Sequence, residues 1–266
     1  MGTRRRLDAE LVRRGLARSR EQAASLVADG RVLVAGQAAG KPATQVAAAD
    51  PILVTGAGEE PQYASRGGAK LAGALAAFPG LRVAGRRCLD AGASTGGFTD
   101  VLLRSGAAHV IAADVGYGQL AWALRTDERV TVLDRVNVRQ LQPGQVAPAP
   151  DLVTADLSFI SLALVLPALV RCAAPGADFV LLVKPQFEVG KGRVGAGGVV
   201  REPGLRGQAV ASVAEAGAGL GLGVAGVAAS PLPGPAGNVE YFLWLRRDAP
   251  PLDAAEVRRV IAEGPQ

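Results

Sequence analysis

The stretch CLDAGASTGGFTD, residues Cys88 to Asp100, decides how this 266-residue chain folds. It reads as a strand ending at Asp90, a turn built on Gly92, Gly96 and Gly97, and the opening of a helix, which is how a βαβ unit begins. Downstream, HVIAADV, VTVL, DLVTADL, DFVLLVK and YFLWL are further apolar runs of strand length, separated by stretches long enough for helices. Near-continuous apolar strands alternating with helices are stable as a mostly parallel sheet covered on both faces. The fold class is therefore α/β.

The turn is G-x-x-x-G-G, not the dinucleotide pattern G-x-G-x-x-G. Asp90, just before the first glycine, would repel a pyrophosphate but suits an ammonium, which favours S-adenosylmethionine over a nicotinamide dinucleotide. Ser94 and Phe98 lie in the same turn. Asp114 ends the next strand, 24 residues after Asp90, near the spacing at which an acid meets ribose hydroxyls, and Val115 follows it. Asp134 ends the third strand and, by analogy with methyltransferases, is expected with Val136 and Asn137 at the adenine edge. A single strand-end carboxylate is as readily a turn or cap residue; three at successive strand ends point to a ligand.

Only four lysines stand among 29 basic residues, so a lysine where arginine is the default is informative. Lys184 closes DFVLLVK ahead of Pro185, at the sheet end where sites of this architecture open. The GKGR run at Gly190–Arg193 lacks the spacing of a phosphate loop. It reads as a basic loop in which Lys191 and Arg193 either touch substrate phosphates or are simply solvated.

The N-terminus differs in charge. From Met1 to Lys41 nine basic residues face four acidic ones, a surplus of five that equals the net charge of the whole chain. Attraction to a polyanion is concentrated there. Leu7, Leu11 and Val12 recur at helical spacing up to Gly15. Ser19 and Gln22 match a capping box before a second helix with Ala23, Leu26 and Val27 inward, and Arg31–Val34 alternates as a strand up to Gly36. The segment Gly56–Gln62 has no periodicity and is expected to connect two domains. Residues 1–60 form a small α+β domain, 61–69 a linker and 70–266 the α/β domain.

Cys88 and Cys172 sit in apolar surroundings without ligand spacing, so they are expected as core thiols and no metal is expected. No signal-peptide pattern or uncharged apolar run of membrane-spanning length appears, and a cytoplasmic location is expected. His109, the sole histidine, opens a strand away from these motifs and is expected to be structural.

SREQAASLVADGRVLVAG resembles the alpha-L RNA-binding motif over roughly the first 60 residues. YASRGGAKL, DAGASTGGFTD, ADVGYGQLAWALR, DLVTADLSFISL, LLVKPQFEVGKGRV and GNVEYFLWL closely resemble the TlyA (hemolysin A-like) family, whose catalytic domain is similar to FtsJ-type 2′-O-methyltransferases. The resemblance implies a Rossmann-like class I methyltransferase fold with a mostly parallel seven-stranded sheet and a small α+β N-terminal RNA-binding domain. It also implies S-adenosylmethionine as cofactor and ribosomal RNA, within ribosomal subunits, as partner. The family's Lys-Asp-Lys-Glu tetrad falls on Lys70, Asp156, Lys184 and Glu240, with Lys184 as the base for the 2′-hydroxyl of a ribose, cytidine being the family precedent. RNA contacts are expected from Arg4, Arg5, Arg6, Arg13, Arg14, Arg18, Arg20, Arg31, Arg66, Lys191 and Arg193. The chain departs from the family at the linker, where Pro61, Gln62, Tyr63 and Ala64 replace an Arg-x-aromatic-Val pattern, which puts domain coupling in question and not the chemistry. Two other classes compete: a cytolysin, and a non-catalytic RNA-binding protein that senses the cofactor. Assay of methyl transfer onto ribosomal RNA separates all three.

Overall fold

A computed structural model describes residues 4–17, 19–47, 49–55, 63–234 and 236–265; Arg18 and the connecting residues 56–62 lie outside these, as does the side chain of Lys191. The chain divides into two compact units, Met1–Pro61 and Gln62–Gln266.

In the first unit β1 (Arg5–Arg6) leads straight into α1 (Leu7–Arg13), followed by α2 (Arg20–Ala28), β2 (Val32–Val34), β3 (Gln37–Ala38), β4 (Gln45–Val46) and β5 (Ile52–Val54). Ser19 Oγ accepts from the Gln22 N–H at 3.1 Å and so starts α2, as the sequence pattern requires. The helices bury Leu7, Leu11, Ala23 and Val27 against Val32 and Val46. The sheet order is β3-β2-β5, and β1 pairs separately with β4.

The second unit runs α3 (Gly67–Ala77), β6 (Arg87–Ala91), α4 (Gly97–Arg104), β7 (His109–Asp114), α5 (Trp122–Arg125), β8 (Val130–Asp134), β9 (Leu152–Ala155), α6 (Leu162–Cys172), β10 (Asp178–Val183), α7 (Pro185–Glu188), α8 (Pro203–Ala218), β11 (Gly223–Ala229), β12 (Tyr241–Arg246) and α9 (Ala254–Glu263). Its seven strands are ordered β11-β12-β10-β9-β6-β7-β8, and β12 runs against both of its neighbours. Alternation along β6 sends Leu89 and Ala91 to the face covered by α6, α8 and α9, and Cys88 to the face covered by α3 and α4. Strand order reverses at β6, whose neighbours are β7 and β9, so a crevice opens above its carboxyl end.

The six strands read from the sequence are present. The seventh, β11, is Ala- and Gly-rich and has no β-branched signature beyond its two valines. Its glycines serve packing: a side chain at Gly226 would run into the Phe78 ring and one at Gly223 into the Ala249 carbonyl. Residues 63–69 of the expected linker already belong to this unit. The Ala64 N–H donates to Asp100 Oδ2 at 2.8 Å, the Tyr63 ring lies 5.1 Å from the Arg104 guanidinium, and α3 starts at Gly67. Both cysteines are buried free thiols, and His109 pairs with Thr131 Oγ1 at the end of β7 away from the crevice. Among the described residues no helix is long and apolar enough to cross a membrane.

Candidate active site

The glycine turn follows β6 directly. Asp90 is fully buried beneath it: Oδ2 accepts from Thr99 Oγ1 at 2.7 Å, while Oδ1 has no partner. Burial pushes this carboxyl up to about 7, partly offset by the Thr99 hydroxyl. The glycines permit close approach, but to the protein's own chain. A side chain at Gly92 would strike the Asp156 carbonyl, one at Gly96 Leu120 and Leu124, and one at Gly97 Ser65 and the backbone of Gly68. Glycine at these positions lets the segments around Ser65, Leu120 and Asp156 close on the turn. Phe98 is not at the surface of the turn either; it packs into the core with its ring 6.1 Å from Phe242.

Asp114 braces the turn from the neighbouring strand. Its Oδ2 accepts from the Ser94 N–H at 2.8 Å and its Oδ1 from the Gly116 N–H at 2.7 Å, which holds Ser94 in left-handed backbone at φ 47°. Each oxygen keeps a second lone pair. Val115 beside it is exposed. Asp134 is less available, since its oxygens engage Arg125 at 2.7 Å and the Gly118 N–H at 3.3 Å. The Val136 N–H donates to the Asp114 carbonyl, and Asn137 Oδ1 caps a short 3-10 turn at the Arg139 N–H.

The four tetrad residues reach the same edge of the sheet. Lys70 is in the first turns of α3, Asp156 follows β9, Lys184 follows β10 and Glu240 precedes β12. Register explains the convergence: the Asp156 N–H donates to the Ala91 carbonyl, and one step past the Val183–Tyr241 pair Lys184 lies opposite Glu240. Pro185 holds Lys184 extended, at φ −109° and ψ 102°, so the strand geometry persists to the ammonium-bearing residue before the chain turns. Two ion pairs result, the buried Lys70–Glu240 at 2.5 Å and the half-buried Lys184–Asp156 at 2.6 Å. Glu240 is fully buried and its Oε1 is without a partner.

Three residues the sequence reading passed over complete this arrangement. Lys184 Nζ donates to Ser158 Oγ at 3.0 Å. Glu188 Oε2 accepts from Ser161 Oγ at 2.6 Å and its Oε1 from the Leu162 N–H at 2.9 Å, tying the loop after Asp156 to the turn after Lys184. Burial raises the Glu188 carboxyl above its ordinary value. Phe159, between them, is 91% exposed at φ 64°, its ring 5.3 Å from Phe187. A bulky residue in left-handed backbone with its ring in solvent is a strained arrangement of the kind found at functional sites. Only the side-chain types in SFIS hinted at this; the pairings depend on how two loops meet.

The expected RNA contacts divide. In the first unit the buried carboxylates Asp8 and Glu10 organise the cations: Asp8 binds Arg6 and Arg20 at 2.9 and 3.0 Å, and Glu10 binds Arg13 and Arg14 at 2.6 and 2.8 Å. These arginines hold Asp8 and Glu10 well below the usual carboxylate range. Arg14 also donates to the Asp50 and Ala47 carbonyls and Arg31 to the Thr55 carbonyl, which makes these two fold-building residues as well. Arg4, Arg5, Arg6, Arg13 and Arg20 are exposed. In the second unit Arg66 is exposed ahead of α3, while Arg193 donates to Gln208 Oε1 and the Val189 carbonyl.

Residues 63–247 match the family model for FtsJ-like methyltransferase, and residues 5–52 match the S4 domain. The chain is 60% identical to the 16S/23S rRNA (cytidine-2′-O)-methyltransferase TlyA of Mycobacterium tuberculosis, over all of both chains. It is 35% identical to Hemolysin A of Brachyspira hyodysenteriae, covering 89% of this chain and 98% of that one. A solved structure from Streptococcus thermophilus that bears a hemolysin name superposes with a TM-score of 0.78 at 38% identity, over 99% of this chain and 96% of the other.

Proposed function

The chain belongs to the TlyA family of rRNA methyltransferases, built from an FtsJ-like methyltransferase domain and an S4 domain, and from that membership we propose that it methylates a ribose 2′-hydroxyl, on cytidine, in ribosomal RNA. The observation that carries this reading is the pair of Lys–carboxylate contacts, the half-buried Lys184–Asp156 and the buried Lys70–Glu240, placed beside the glycine turn at the crevice.

S-adenosylmethionine supplies a methyl already activated on a sulfonium, so the chain's own task is alignment and removal of one proton. The residues fit that cofactor. Asp90 has a buried oxygen without a partner for an ammonium, and Asp114 retains lone pairs for ribose hydroxyls. The neighbourhood of Asp134, Val136 and Asn137 takes the adenine edge.

Lys184 is the base. It must be uncharged to accept the hydroxyl proton, and Asp156 and Ser158 fix where Nζ points. Lys70, held by Glu240, brings a second ammonium to the same edge, where it orients the ribose oxygen. The solvent-facing ring of Phe159 suits stacking on an unpaired base, the usual way proteins hold single-stranded RNA. The first unit supplies phosphate contacts through Arg4, Arg5, Arg6, Arg13 and Arg20.

The test is methyl transfer from labelled cofactor to ribosomal RNA, with 2′-O-methyl positions mapped before and after. A protein that binds the cofactor yet adds no 2′-O-methyl to either ribosomal subunit would overturn the reading.

A further inference from the structure

The edge of the sheet that carries the tetrad also holds a polar cavity of about 390 Å³, lined by Val199, Arg201, Arg206, Ala236 and Gly237. None of the tetrad residues lines it. Arg206, in the first turn of α8, is 5% exposed. Its Nε donates to the Val200 carbonyl at 3.0 Å, and its Nη1 is buried without a partner. Among the described residues no carboxylate comes within ion-pair distance of it, whereas other buried or half-buried cations such as Lys70, Arg86 and Lys184 each have one. The Tyr241 hydroxyl, buried and also without a hydrogen-bond partner, lies beside the guanidinium. Glu202, the acidic residue nearest in sequence, is exposed; its backbone carbonyl accepts from the Arg206 N–H and its carboxylate lies beside Gly204.

A guanidinium keeps its charge at any working pH, and burying that charge without a counter-ion is strongly unfavourable. Its retention calls for an anion that the chain does not provide. The surroundings are built to receive one. Asn238 Oδ1 accepts from the Val200 N–H at 2.9 Å and its Nδ2 donates to the Gly198 carbonyl at 2.8 Å, which fixes the glycine-rich loop against the residues leading to Glu240. Arg201 adds a second, exposed guanidinium at the mouth. Two forked donors converging on one polar cavity match the oxygens of a phosphate.

We propose that this cavity is a phosphate-binding site, with Arg206 as its fixed floor and Arg201 as its outer arm, and that it takes a backbone phosphate of the RNA strand whose ribose enters the tetrad. This rests on the RNA methyltransferase reading for the source of the phosphate, and on the cavity alone for the chemistry.

The experiment uses the full chain with Arg201→Ala and Arg206→Met. RNA affinity is measured across salt concentrations, and inorganic phosphate is titrated while the melting temperature is followed. Each variant should lose roughly tenfold in RNA affinity at low salt and flatten the slope of log K against log salt by about 0.7–0.9, the value of one phosphate contact, with cofactor affinity unchanged. Inorganic phosphate should raise the melting temperature of the parent protein and not of Arg206→Met. Parental salt slopes in both variants, or equal protection by phosphate in parent and variant, would overturn the site. Arg201→Ala alters an exposed side chain, so it decides the matter even if Arg206→Met does not fold. If the parent transfers no methyl to RNA but phosphate protection still requires Arg206, the functional reading fails and the anion site stands, with a free phosphate as its ligand.

Discussion

The two ends of the seven-stranded sheet treat buried polar groups differently. Where β10 begins, Arg86 pairs with Asp178 Oδ2 at 2.5 Å and donates to the Asp151 carbonyl, while Asp178 Oδ1 accepts from Trp244 Nε1 at 2.8 Å. Where the parallel strands end, Asp90 Oδ1, Glu240 Oε1, Gln186 Oε1, Arg206 Nη1 and the Tyr241 hydroxyl are all buried without a hydrogen-bond partner; at the beginning end, among the described residues, Asp151 Oδ1 alone shares that condition. Buried polar groups ordinarily find partners, so a cluster that does not is one whose partners come from outside the chain. One end is built for stability. The other holds capacity in reserve for ligands.

The comparison breaks most visibly at Lys184. Lys184→Arg preserves charge but installs a group that cannot release its proton, so single-turnover methyl transfer with saturating RNA and cofactor should fall about 100- to 10,000-fold, nearly as far as in Lys184→Ala. The melting temperature should move little. An arginine variant within roughly tenfold of the parent rate, about 1.4 kcal/mol in barrier, would show that Lys184 supplies charge and not basicity.

At the opposite end the expected effect is on stability alone. Arg86→Ala leaves Asp178 buried with only Trp244 as partner, and should cost about 2–3 kcal/mol, or roughly 4–12 °C in melting temperature for a domain of this size. Methyl transfer per folded molecule should stay at the parental rate. A variant that melts normally but loses turnover would erase the distinction between the two ends.

Lys184 stood out in the sequence because lysine is rare in this chain and this one closes a strand against an arginine background, whereas Lys70, Asp156 and Glu240 were reached only through the resemblance to the family. Asp90, Asp114 and the glycine turn were legible because strand–turn–helix order fixes their place. What the glycines approach was not legible: the turn is crowded by Ser65, Leu124 and Asp156, which meet it only after the sheet assembles. Strand β11 escaped because Ala and Gly carry little strand preference and packing against β12 and Phe78 decides its state. The N-terminal surplus of charge was countable, but Asp8 and Glu10 gathering four arginines between them depends on helix α1 burying those acids, which a charge count does not register.

Asp90 gives a smaller effect that depends on pH. Its carboxyl is raised to about 7 from 3.8, so the folded protein holds a proton that the unfolded chain has already released, and stability should fall as pH rises from about 4 to 7. An ammonium requires the ionised form, so cofactor affinity should instead rise with pH through about 7. Asp90→Asn should flatten both trends, weaken cofactor binding by about 1–3 kcal/mol and leave the protein more stable than the parent at pH 8. Calorimetry and melting curves at pH 6 and 8 check each part, and a parental pH profile of cofactor affinity in the variant would remove Asp90 from the site.

The smallest expected effect is the most specific to the reserved end of the sheet. Ser158 Oγ accepts from Lys184 Nζ at 3.0 Å, while Asp156 holds the same nitrogen by charge. Asp156 alone can keep the ammonium in place, but a second, directional contact fixes how Nζ is turned, and therefore where its lone pair lies once the proton has left. Ser158→Ala removes that contact and leaves the ion pair, so the loss should be about 1 kcal/mol, or roughly fivefold in the single-turnover rate. Neither RNA affinity nor melting temperature should change, because the hydroxyl touches only Lys184 among the groups the reaction uses. Ser158→Thr, which keeps the hydroxyl, should restore most of the rate; ordinary loop packing predicts the reverse order, with the smaller alanine tolerated and the added methyl harmful.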